Sequence, residues 1–235
     1  MAFDLVIFDC DGVLVDSEVI SCASLADQLT AAGLPTSHEE VMARFLGRST
    51  AAIAEDFRAR TGSELPEEFL PRFRLDVAER MRRELLPIPD IQEVLEGLRS
   101  LGLPFCVASS SERPRLDLAL TLTGLIDFFD ARIFNAAMVA RGKPAPDLFL
   151  HAAQTLGADP ARCLVIEDSP AGVLAGKAAG MTVWGFTGGS HQRAGSAETL
   201  VKAGADRLFN RMQEFDVPEF TRNHGQQRHR QVAPR

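Results

Sequence analysis

Short apolar runs alternate with longer stretches of helical period along most of this chain. Runs at residues 3–9, 104–109, 131–134, 163–168 and 181–186 predict strands, with a last short one near 206–209. Between the later runs, apolar positions recur at helical spacing over 91–101, 113–122, 147–156 and 171–179. Gly102, Gly124, Gly157 and Gly180 each follow such a stretch, where glycine ends a helix by taking the left-handed conformation. Strands and helices in this order predict an α/β fold: a doubly wound parallel sheet, a Rossmann-like core.

One segment breaks the alternation. Residues 17–87 offer helical patterns and no strand candidate. Ser17 is placed to cap a helix running to Gly33, and Ser37-His38-Glu39-Glu40 reads as a capping box opening a second. Ser49 or Thr50 can cap a third ending near Gly62, residues 65–86 supply a fourth, and Pro87-Ile88-Pro89 makes a stiff exit. The expected organisation is a core of residues 1–16 and 88–215 with an inserted helical cap domain at 17–87. Residues 216–235 are basic, poor in apolar side chains and without acids after Glu219, and read as a disordered tail.

Composition narrows the partners. The chain has 235 residues, 46% hydrophobic and 24% charged, with a net charge of −7. There is ample material for a core, and no basic face for nucleic acid or an anionic membrane. No apolar run is long enough to span a membrane and no signal peptide is visible. The four cysteines, Cys10, Cys22, Cys106 and Cys163, form no CxxC pair, and two lie inside apolar runs. Reduced thiols and a cytoplasmic location are the expectation.

In an open parallel sheet, ligands bind beyond the carboxyl ends of the strands. Those ends carry Asp9-Cys10-Asp11-Gly12 after the first strand and Ser109-Ser110-Ser111 after the second. The connection after the third carries Arg141-Gly142-Lys143-Pro144, and the fourth ends in Glu167-Asp168-Ser169. Two acidic clusters, a hydroxyl row and an ammonium on one edge suit a hard divalent cation with oxygen ligands, and magnesium also favours substrate phosphate. Two aspartates one residue apart, if both charged in a shared site, would repel by roughly 4 kcal/mol at about 4 Å in an effective dielectric of about 20. Either they are turn formers bonding nearby backbone, or a cation or a shared proton makes their crowding useful.

The ordered motifs FDCDGVLVDSE, VASSS, RGKPAPD and VIEDSPAG resemble the haloacid dehalogenase superfamily, and more closely its β-phosphoglucomutase-like branch of phosphatases and mutases. The resemblance covers about nine tenths of the chain and implies a helical cap inserted after the first motif. It implies that Asp9 is the nucleophile that takes a phosphoryl group and that Asp11 is the general acid and base. It implies that Ser109 bonds a phosphoryl oxygen, and that Lys143 balances charge between nucleophile and phosphate. The implied cofactor is Mg2+, with Asp168, the Asp9 carboxylate and the Asp11 carbonyl as ligands and Glu167 in the same acidic pair.

Several residues keep two readings. Glu167 is either part of the metal shell or a structural partner. Ser110, Ser111 and Arg113 either touch substrate phosphate or open the next helix. Arg48, between two cap helices in Phe45-Leu46-Gly47-Arg48-Ser49, is either a donor to a distal substrate group or a solvated arginine. His151 reads as a helix-surface residue, His191 as a loop residue without assignment, and the arginines at 72, 74, 80, 82 and 83 as a solvated face.

The implied activity is a magnesium-dependent phosphatase on a small phosphorylated sugar, sugar acid or polyol, acting as a monomer or weak homo-oligomer. The alternative is a phosphomutase; after Ser17-Glu18 the chain reads Val19-Ile20-Ser21-Cys22, without the histidine that the mutase resemblance leads one to expect in this helix, which counts against it. A dehalogenase would not need Asp11. A receiver-type signalling domain would be about half this length and carry its phospho-acceptor on a later strand.

Overall fold

Leu5–Phe8 (β1) is apolar at every position and wholly buried, as a strand flanked on both faces and both edges must be. The computed structural model describes residues 3–45 and 50–215. After β1 come four helices, α1 (Glu18–Ala31), α2 (His38–Arg44), α3 (Thr50–Thr61) and α4 (Phe69–Glu84). The alternation then proceeds through α5 (Ile91–Ser100), β2 (Phe105–Ser109), α6 (Arg113–Leu122), α7 (Ile126–Phe129) and β3 (Ile133–Asn135). It continues with α8 (Asp147–Thr155), β4 (Cys163–Glu167), α9 (Pro170–Ala178), β5 (Thr182–Phe186), α10 (Ser196–Ala203) and β6 (Arg207–Phe209).

The six strands form one parallel sheet in the order β3-β2-β1-β4-β5-β6. The chain leaves β1 toward β2 on one side and later returns to place β4 on the other. The strand order therefore reverses at β1, which opens a crevice beyond its carboxyl end. One apolar cluster on the first face gathers Phe8, Leu95, Leu116 and Phe186; the other gathers Ile7, Leu148, Phe149 and Val173.

The helical segment has a small core of its own around Leu25, Leu29, Val41, Phe57 and Phe69. It also leans on the main core, where Ile20, Val77, Met81 and Leu85 pack beside β1 residues. Its two connections meet: Asp16 N–H donates to the Leu86 carbonyl at 3.0 Å, and Ile88 N–H to the Leu14 carbonyl at 2.9 Å. Arg80 pairs with Asp27 at 2.6 Å and Asp76 at 2.8 Å, so this arginine of the expected solvated face ties α4 to α1.

Two capping expectations divide. Ser37 caps α2 by accepting from Glu40 N–H at 3.1 Å, while Ser17 precedes α1 without capping it, because its hydroxyl is drawn to Asp11. Thr50 opens α3; Ser49, its alternative cap, and Arg48 lie outside the described residues, as does the 216–235 tail.

Candidate active site

Asp9 and Asp11 of the first motif sit on the turn that leaves β1. The Cys10 carbonyl accepts from the N–H groups of Val13, Leu14 and Val15, which curls the chain tightly, and Gly12 takes φ +80. A β-carbon on Gly12 would fall 1.9 Å from Asp168 Oδ2, so glycine is required for closeness as well as for dihedral. Cys10 lies buried between the two acids, and burial pushes its thiol well up, so it stays protonated.

The two carboxylates point to different partners. Asp9, buried at the end of β1, meets Lys143 Nζ at 2.6 Å. Asp11 accepts from the Ser17 hydroxyl, from Ser111 Oγ at 2.5 Å and from Arg115 Nη2 at 2.7 Å. Burial opposes charge on Asp11, yet Arg115 and the hydroxyls of Ser111 and Ser17 hold its carboxyl below the usual carboxylate range. Burial pushes the Asp9 carboxyl well above that range, against the pull of Lys143. The repulsion that the one-residue spacing implies is thus divided between two cations.

Lys143 is 4% exposed and also lies 2.6 Å from Glu167 Oε1. Burial works against its charge, but Asp9 and Glu167 hold the ammonium above its ordinary value. Glu167 has no free valence: its Oε2 accepts from Asp168 N–H, Ser169 N–H and Ser169 Oγ, each at 2.9 Å. Of its two sequence readings, the geometry favours the structural partner, which anchors Lys143 and fastens the start of α9. Ser169 caps α9 by accepting from Gly172 N–H at 3.1 Å, with Pro170 in the first turn.

Ser109 is buried at the end of β2, and its Oγ accepts from Ser111 N–H at 3.1 Å. Ser110 is exposed and Ser111 half-buried, its hydroxyl committed to Asp11. Arg113 faces outward to Asp117 at 2.7 Å, which leaves it with the helix-opening reading.

Sequence reasoning missed four participants. Arg115 stands one turn into α6 and its guanidinium also donates to Ser21 Oγ on α1, at 2.9 Å. Ser17, a helix cap by its sequence position, donates its hydroxyl to Asp11 instead. Glu18 is half-buried at the first turn of α1, and burial, ahead of the Asp11 charge, pushes its carboxyl up to about 7. His191 is 3% exposed, with Nε2 at 3.1 Å from Asp168 Oδ2, and burial lowers its pKa. The DSE that ends the first motif was the only local signal for Ser17 and Glu18. His151, expected on the surface, is half-buried, edge-on to Phe134 at 5.6 Å.

Among the described residues no three His, Cys, Asp or Glu side chains converge as a ready-made metal cage. What remains is Asp9 and Asp168 with the main-chain carbonyls of the first turn. Burial and the Glu167 charge push the Asp168 carboxyl well up, so the crevice holds more carboxylate than Lys143 balances. That donor set fits a hard cation that keeps water and substrate oxygens in its shell.

Comparison with known proteins gives this crevice its class. Residues 3–180 match the haloacid dehalogenase-like hydrolase family. The 6-phosphogluconate phosphatase of Escherichia coli (strain K12) is 30% identical over 195 residues, 81% of this chain and 85% of that protein. Hexitol phosphatase A of the same strain is 34% identical over 180 residues, 75% of this chain and 80% of that protein. A haloacid dehalogenase family hydrolase from Deinococcus radiodurans R1, solved with phosphate and sodium bound, is 36% identical. That match covers 92% of this chain and 95% of the other, with a TM-score of 0.77. The chain belongs to the haloacid dehalogenase-like hydrolases, as a phosphoric monoester hydrolase.

Proposed function

We propose that the protein is a magnesium-dependent phosphatase that hydrolyses a small phosphorylated sugar, sugar acid or polyol through a phosphoryl group carried on Asp9. The observation that carries this reading is the position of Lys143, held 2.6 Å from both Asp9 Oδ1 and Glu167 Oε1. A buried ammonium beside a buried carboxylate at the switch point neutralises what would otherwise repel an incoming phosphate.

In the first half-reaction an Asp9 oxygen attacks phosphorus, the bond from phosphorus to the leaving oxygen breaks, and Asp11, having taken a proton from solvent and let go of Arg115 and the two serine hydroxyls, gives that oxygen the proton. In the second, water attacks the same phosphorus and gives its proton to the Asp11 carboxylate. Inorganic phosphate leaves and Asp9 is restored. Ser109 and Lys143 hold the non-bridging oxygens. Asp9, Asp168 and the Asp11 carbonyl would hold a cation, which when bound would supply charge neutralisation at phosphate. The helical segment over the crevice excludes water and supplies substrate contacts.

A phosphomutase would use the same core. The helix where the mutase resemblance leads one to expect a histidine instead offers Ser21, bonded by Arg115, which supports the hydrolase reading.

A panel of phosphorylated sugars, sugar acids and polyols, assayed for released phosphate, tests the reading. Activity should vanish in excess chelator, return with magnesium, and be absent in Asp9→Asn, since an amide is a very poor nucleophile. Full turnover in chelator, or in Asp9→Asn, would refute it.

A further inference from the structure

The turn after β5 belongs to none of the four motifs, yet it is tied to the crevice and to the helical segment at once. Ser190 donates to Asp16 through its main-chain N–H, at 3.0 Å, and through its hydroxyl. The Gln192 amide donates to the main-chain carbonyl of Asp168 at 3.0 Å and meets His191 Nε2 at 2.8 Å. The next residue, Arg193, reaches across to α2, where its Nη2 lies 3.3 Å from Met42 Sδ. A thioether is a weak acceptor. The Arg193 guanidinium makes no ion pair among the described residues, and the side chain is exposed, so an incoming group can reach it.

Helix α1 relates this arginine to the site. Burial pushes the Cys22 thiol up to about 12, with Glu18 adding to the rise and Arg193 opposing it, so both charges lie within electrostatic reach of Cys22. Cys22 stands one helical turn, about 5.4 Å, beyond Glu18, and the Glu18 carboxyl in turn feels Asp11. The order Asp11, Glu18, Cys22, Arg193 therefore runs outward from the crevice toward α2. The cations nearer the centre are committed, Lys143 to Asp9 and Glu167 and Arg115 to Asp11. A substrate with a second anionic group meets Asp9, Asp11, Asp168 and Glu18 along this path and needs a cation beyond them. The planar fork of a guanidinium matches the two oxygens of a carboxylate.

We propose that Arg193 determines specificity by taking the carboxylate at the far end of a phosphorylated sugar acid, which makes sugar acids the preferred substrates ahead of neutral sugars and polyols. The inference rests on the phosphatase reading and narrows its substrate class. The bonds of Ser190 and Gln192 brace the turn, so the base of the arginine is held at a fixed place relative to Asp168 while its guanidinium exchanges a thioether for a carboxylate.

Two probes that differ at one carbon test it: gluconate 6-phosphate, and glucitol 6-phosphate, which carries a hydroxymethyl group in place of the carboxylate. With magnesium present, wild-type kcat/KM should be about tenfold or more higher for the acid. Arg193→Ala should bring the two substrates within about twofold by slowing the acid alone, and Arg193→Glu should reverse the preference. Arg44→Ala removes another cation of α2, one paired with Asp56, and should leave the ratio unchanged. A wild-type ratio near one, or a preference that survives Arg193→Ala, would overturn the proposal. So would an equal fall in Arg44→Ala, because net charge would then be the cause. Asp9→Asn separates the two readings. Wild-type turnover there refutes the phosphatase reading itself, whereas an inactive Asp9→Asn beside an unchanged ratio in Arg193→Ala refutes only the role of Arg193. Release of phosphate from para-nitrophenyl phosphate but from neither probe likewise refutes the substrate class and leaves the hydrolase standing.

Discussion

Arg115 lies 2.7 Å from Asp11 Oδ1, and with the Ser111 and Ser17 hydroxyls it turns the second aspartate away from the first. The same guanidinium reaches Ser21 on α1, so one side chain joins Asp11 to the helical segment. Arg115→Met keeps the packing stem and removes the fork. Losing one partner of a desolvated pair costs about 2–5 kcal/mol, with the lower end expected because the arginine is 25% exposed. Thermal unfolding should shift down by several degrees and kcat should fall. An unchanged melting temperature with kcat within about twofold of wild type would remove Arg115 from the site.

Gly172 tests the Glu167 anchor. A β-carbon there would meet Glu167 Oε1 at 1.7 Å, although the residue lies in helix α9, where alanine is otherwise better by about 1 kcal/mol. Gly172→Ala should therefore destabilise, by about 1–3 kcal/mol, and lower kcat by displacing Lys143 from Asp9. Urea unfolding and phosphate release measure the two effects. A stabilised, fully active variant would show that Glu167 moves aside freely.

Glu18 gives a pH dependence with a definite sign. Its carboxyl is raised to about 7 in the folded chain against 4.5 ordinarily. Below both values it is protonated in both states. As pH rises through that window the unfolded chain loses its proton first, so stability contributed by this group falls as pH increases. The interval corresponds to about 3 kcal/mol. Glu18→Gln should flatten the loss between pH 4.5 and 7 when urea unfolding is followed in chelator. An identical slope in wild type and variant would show that other carboxyls set it.

Arg48 carries the specificity prediction of the sequence reading. If it holds a distal substrate group, Arg48→Ala should lower kcat/KM for the natural phosphorylated sugar by more than tenfold and leave para-nitrophenyl phosphate nearly unchanged. An exposed pair would be worth only about 1 kcal/mol or less, a desolvated one about 2–5. An unchanged ratio between the two substrates makes Arg48 a surface residue.

The strands, the glycine stops and the four chemical motifs were legible because each is a local pattern: an apolar run, a period, a strand end. Asp9, Asp11, Ser109, Lys143 and Asp168 could be listed before any coordinates because strand ends share one edge. What joins them was not legible. Arg115, one turn into a helix, and His191, beyond two glycines, reach the crevice through long-range packing that no nearby spacing encodes. Ser17 had the right chemistry for a helix cap, but a buried carboxylate outcompeted the helix for its hydroxyl. Glu167 had the right type for a metal ligand, and its four hydrogen bonds within the protein became visible only once α9 and Lys143 stood beside it.

The paired connections at Asp16–Leu86 and Leu14–Ile88 have a mechanical consequence. Two hydrogen bonds tie the two chain connections between the helical segment and the sheet, and α1 extends 14 residues beyond them. At 1.5 Å per residue that is an arm of about 21 Å, so a tilt of about 10° at the connections swings its far end by about 4 Å. A swing of that size approaches the diameter of a small substrate group. A tilt of the helical segment would therefore act by leverage, its torque borne by the peptides that tie Asp16 to both Leu86 and Ser190 and resisted by the packing of Ile20, Val77, Met81 and Leu85 on the main core.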